Sequence, residues 1–143
     1  MALLAAALIF AGCSSNAASS KSQGSPPPVV SPGASLKQPV QTNTGGSVTV
    51  EAKLLGHQGD SLVFEITMDT HSVDLDAVDL KKQAVLRDDK GGEYKAVDWN
   101  AAMGGHHRSG KLVFAHPDKT SKTFELVIRD VAGVAERVLR WQV

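Results

Sequence analysis

The chain has 143 residues, and its 15 Lys and Arg balance 15 Asp and Glu for a formal charge of zero. That balance argues against a nucleic-acid binder driven by a basic field. Hydrophobic residues make up 42%, enough for a core, while a single cysteine excludes an internal disulfide, a Cys-rich zinc knuckle and a CxxC redox motif.

Met1 to Cys13 reads MALLAAALIFAGC, and residues 2–12 are uncharged and either apolar or small. A membrane-spanning helix needs about 20 such residues, so this run is too short to span and fits the apolar region of a secretory signal. Ala11 and Gly12 leave the backbone open to a peptidase, and Cys13 offers a thiol for acylation. The run resembles the lipobox of bacterial lipoproteins. That resemblance implies a signal peptide over residues 1–13 and a lipidated Cys13 as the mature N-terminus, held in a cell membrane or outer membrane and facing its extracytoplasmic side. Two acyl chains anchor stably where one does not. Ser14, where Asp would stand for inner-membrane retention, is compatible with the outer membrane of a two-membrane host. No Lys or Arg precedes Cys13, so either the true start lies upstream of Met1 or the signal is weak.

Residues 14–46 are rich in Ser, Pro, Gly, Asn, Gln and Thr, with Lys21 and Lys37 as their charges and no aromatic residue. Such a segment cannot bury enough apolar surface to offset chain entropy. It reads as a disordered linker of roughly 30 Å coil span, stiffened at Pro26, Pro27 and Pro28.

Residues 47–143 have period two. Val48, Val50, Ala52 and Leu54 alternate with polar residues, and so do Leu62, Phe64, Ile66 and Met68 after the turn His57–Asp60. Val73–Lys82 reads as a strand followed by one helical turn, capped by Asp76 or Asp79. Ala84–Leu86 and Tyr94–Val97 flank a hairpin at Asp88–Gly92, whose Asp88 and Asp89 read as solvated turn residues. Lys111–Phe114, then Phe124–Ile128, then an inward row of Leu139, Trp141 and Val143 complete seven or eight strands. This spacing predicts an all-β antiparallel sandwich, close to the roughly 100 residues of an immunoglobulin-like domain.

The stretches Leu86–Tyr94 and Ser109–Phe114, with the closing strand, resemble the immunoglobulin-like domains of uncharacterised bacterial lipoproteins over most of residues 47–143. The resemblance implies fold and location, and no activity. The sandwich disulfide usual in such domains is absent, which leaves Trp99 or Trp141 to supply packing.

Chemistry concentrates in two segments at strand ends, where the loops of a sandwich carry sites. One is Asp69–Asp76, DTHSVDLD. The other is Gly104–Arg108, GGHHR, read as a loop before the Lys111 strand. Imidazole and carboxylate together suit copper or zinc, so His71, His106, His107, Asp69 and Asp74 are candidate metal ligands. Met68 or Met103 could supply a sulfur to copper. The structural alternative has His71 bonding a backbone carbonyl, Arg108 pairing with Asp74 or Asp76 to lock one loop on the other, and His106 or His107 stacking on Trp99. No catalytic motif of the kind GxSxG or HExxH occurs, and Ser72 beside His71 is not a triad.

The expectation is therefore a lipid-anchored envelope protein with a non-catalytic binding or interaction module. Its partners would be the membrane, through Cys13, and a protein or small ligand, but no nucleic acid. It needs no cofactor on this reading, and copper or zinc bound by the His and Asp cluster is the alternative.

Overall fold

The computed structural model describes residues 38–143. The expected signal run 1–13 with Cys13, and residues 14–37 of the expected linker, lie outside the described residues. The elements are β1 (Gln41–Gly45), β2 (Val48–Gln58), β3 (Ser61–Thr70), α1 (Leu80–Gln83), β4 (Ala84–Asp88), β5 (Glu93–Trp99), β6 (His107–Ala115), β7 (Thr123–Val131) and β8 (Val134–Gln142). No helix among the described residues is long and apolar enough to cross a membrane.

Every pairing is antiparallel, in the order β1-β2-β3-β6-β5-β4-β7-β8. The neighbours 3-6-5-4 and 6-5-4-7 form two overlapping Greek keys. The two layers of the sandwich share β5. Its first half pairs Glu93, Tyr94 and Lys95 with Arg87, Leu86 and Val85 of β4. A register shift between Ala96 and Asp98 then turns its second half onto Phe114, Val113 and Leu112 of β6. A bulge at that point bends the strand and lets one strand serve both layers.

The core follows the period-two pattern. Val48, Val50, Ala52, Phe64, Ile66, Met68, Leu112, Phe114, Leu126 and Ile128 are all buried. Phe64 meets Phe114 edge-on at 5.9 Å and Trp141 at 5.1 Å, so aromatic packing holds the two layers in place of a disulfide. Val143, expected as the last inward residue, is 50% exposed. Strand β8 ends one residue before it, at Gln142.

The connection after β3 contains no strand. It descends through turns to α1, where Asp79 is the cap and accepts the Lys81 amide. Asp88 is no solvated turn residue. Its carboxylate accepts the Gly92 amide at 2.7 Å, the Lys90 amide at 3.0 Å and the Tyr94 hydroxyl at 2.8 Å. The Ser121 hydroxyl adds a fourth bond at 3.1 Å, which ties the β4–β5 hairpin to the start of β7.

The folded domain also begins earlier than residue 47, because Gln41–Gly45 pairs with β2 from Ala52 to Val48. This strand lacks an apolar stripe for a physical reason. Its inward positions, including Asn43 and Gly45, face a cation. Arg137 of β8 is 0% exposed and donates to Gly45 O at 2.7 Å, Asn43 Oδ1 at 2.9 Å, Val131 O at 3.3 Å and Asn43 O at 3.4 Å. Trp141 Nε1 donates to Pro39 O at 2.9 Å. β1 and β8 stand at opposite ends of the strand order, and these side-chain donors join them.

Candidate functional site

The two expected segments do meet, at the pole where β3 ends and β6 begins. The β6 ladder reaches back to His107, paired with Asp69, and Arg108, paired with Met68. His107 and Arg108 are therefore strand residues, not loop residues. Alternation along a strand then sends the Arg108 side chain inward, where it is only 5% exposed, and leaves His107 outside.

Arg108 spends its donors on carbonyl oxygens. Nη1 reaches Leu75 O at 2.6 Å and Val78 O at 2.7 Å, and Nε reaches Ala102 O at 3.1 Å. The guanidinium lies 5.8 Å from the centroid of the Trp99 ring, a cation–π geometry. So Arg108, and neither histidine, faces Trp99, and its hydrogen bonds go to carbonyls rather than to Asp74 or Asp76. The reason is depth. The connection after β3 turns its backbone, not its carboxylates, toward the buried start of β6.

Asp76 works from the other side. Its Oδ1 accepts the amides of Gly104 at 2.9 Å and Gly105 at 3.1 Å. Those two amides hold its carboxyl below the ordinary aspartate value. Asp74 folds the approach by accepting the Asp76 amide at 2.9 Å. Backbone bonds complete the clasp, from Leu75 N to Gly105 O at 2.8 Å and from Thr70 N to His106 O at 3.0 Å. Gly104 has no room for a side chain, since a Cβ there would lie 2.1 Å from His107 O.

The histidines divide among separate partners. His106 Nδ1 bonds Val73 O at 3.0 Å. His107 Nδ1 bonds Asp69 across the strand pair. The carbonyl-bonding role expected of His71 thus falls to His106, and His71 is exposed. Among the described residues no three His, Cys, Asp or Glu side chains come together as a metal-holding group. Met68 is buried in the core, whereas Met103 is 73% exposed at the loop tip. The pole is thus a rigid clasp that presents Met103 and the outer faces of His71, His106 and His107.

Sequence reasoning passes over the second buried cation, Arg137. The signal was there in parity, because Arg137 shares its register with Leu139 and Trp141 on the inward side of β8. The Asp88–Tyr94 network at the opposite pole carried no comparable signal.

No family model and no curated protein matches the chain. Among solved structures, the chain is similar to MPT63, a secreted protein from Mycobacterium tuberculosis. The two are 14% identical over 74% of this chain and 92% of that one, with a TM-score of 0.43.

Proposed function

We propose that this chain is a lipid-anchored, extracytoplasmic protein whose β-sandwich is a non-catalytic binding or interaction module. The observation that carries the reading is the apolar run 2–12 ending in Ala11-Gly12-Cys13, followed at once by a polar, Pro-rich spacer. A diacylated cysteine is a sufficient anchor by itself, and the spacer sets the module off the surface.

The form of the Asp69–Arg108 pole supports a contact role over a chemical one. Arg108 and Asp76 are engaged with backbone groups, and Asp69 with His107, which makes a stiff surface. Exposed Met103 stands on that surface as an adaptable apolar contact.

Fractionation of the native host tests the anchor. The unaltered chain should require detergent for release, and Cys13→Ser should move it to the soluble fraction with residues 38–143 still folded. Retention of the Cys13→Ser chain in detergent-requiring membranes would refute the anchor. A photo-crosslinker placed at Met103 tests the contact surface: discrete adducts are expected there and not at the exposed Val97.

A further inference from the structure

We infer that β1 is an exchangeable strand, and that the site it occupies accepts the β1 of a second copy of this chain. The inference does not depend on the proposed anchor or on the clasped pole.

β1 has a backbone ladder with β2 alone. Its hydrogen-bonded link to β8 is made by one side chain, Arg137, beside the packing of Gly45 on Val134, and Trp141 holds Pro39 just ahead of it. A strand held this way can leave without disturbing any other pairing in the sheet. The site it leaves is best filled by another strand. Arg137 is fully buried, and β1 supplies its two shortest acceptors, Gly45 O and Asn43 Oδ1. Without β1 the guanidinium loses these charge-assisted hydrogen bonds and is left to water that only partly replaces them. The group that fits the site must offer an extended backbone with an amide side chain two residues before a glycine, and an identical β1 satisfies this by construction.

The hinge favours the exchange. β1 turns into β2 through Gly46 and Ser47, both at positive φ, +56° and +61°. For Ser47 this is a strained conformation, held by the Thr70 hydroxyl on its carbonyl at 2.7 Å. In an exchanged pair the hinge opens, β1 and β2 run on as one extended segment, and both residues leave the left-handed region. Short strained hinges are those that exchange.

Thr44 and Thr49 are cross-strand partners with hydroxyl oxygens 3.1 Å apart, so cysteines there report which β1 lies on which β2. One full-length chain would carry Cys13→Ser with Thr44→Cys, the other Cys13→Ser with Thr49→Cys. They are mixed at high concentration in mild urea, returned to buffer and oxidised. The expected product is the heterodisulfide between the two chains, well in excess of either homodisulfide. A heterodisulfide at no more than the statistical twofold yield over either homodisulfide, or no disulfide, would overturn the inference. Deleting Gly46 and Ser47 from the chain, which removes the turn but not the strands, gives a second reading. A folded dimer by light scattering supports exchange, and a folded monomer overturns it.

Discussion

The guanidinium of Arg137 lies 2.7 Å from the carbonyl oxygen of Gly45, so a charge in the sandwich interior is solvated by the first strand of the domain. This contact explains how a strand as polar as QTNTG belongs to the fold. It also ties the stability of the whole sandwich to a segment that looks like linker.

Removing residues 38–46 should therefore cost far more than the loss of one edge strand. The expected added penalty is roughly 1.5–3 kcal/mol, the scale of hydrogen bonds lost by a charged group. Arg137→Met removes the charge and keeps much of the volume, so the same truncation should cost distinctly less in that background. Urea unfolding of the four proteins closes the cycle. Equal costs in both backgrounds would separate β1 from Arg137.

Gly104 and Gly105 make a matched pair for testing the clasp. Gly104→Ala drives a methyl group to within 2.1 Å of His107 O, so the start of β6 must shift. The expected loss is about 1–3 kcal/mol, as for other overpacked sites. Gly105→Ala meets no atom within 4 Å but sits at φ +59°. Its loss should be about 1–2 kcal/mol, from backbone strain alone. Denaturant midpoints measure both losses, and local exchange separates them. Hydrogen exchange at Thr70 and Leu75, whose amides bond His106 O and Gly105 O, should quicken more for Gly104→Ala.

Acid should loosen the fold through its engaged carboxylates. The Thr120 hydroxyl and amide, with the Lys90 ammonium, lower Asp118 from 3.8 to about 2. The Gly104 and Gly105 amides lower Asp76 as well. Both groups bind protons more readily when unfolded, so their stabilisation is complete above the unfolded value. It is lost as pH falls through the folded one. The urea midpoint should hold steady at neutral pH and fall from about pH 4 toward pH 2. Asp118→Asn should flatten part of that slope, and an unchanged slope would remove Asp118 from the account.

Zinc and copper should shift the melting temperature little. His107 is engaged with Asp69 and His106 with the Val73 carbonyl, which leaves His71 without two partners beside it. A stoichiometric shift that vanishes in His71→Ala would instead establish a metal centre at this pole.

What could be read from the sequence divides along a physical line. Strands β2, β3, β7 and the second half of β6 are legible because their inward residues are apolar and alternate, as in Val48-Val50-Ala52-Leu54. β1 is illegible for the opposite reason: its inward residues are polar because they meet a guanidinium. The start of β6 is hidden in the same way, since Arg108 holds an inward position that reads as loop. The meeting of the Asp69–Asp76 and Gly104–Arg108 segments follows from their places at the ends of paired strands. Their bonding does not. Whether a carboxylate meets a guanidinium or a glycine amide depends on depth, and alternation along a strand gives direction without depth.

The proposal that this domain hangs from a membrane by lipid on Cys13 is tested most directly by the mass of the mature protein. Protein extracted from membranes of its native host should begin at Cys13 and carry at least a diacylglyceryl group there. A mature chain recovered without detergent, with an unmodified thiol at Cys13 or a start elsewhere, would contradict the account.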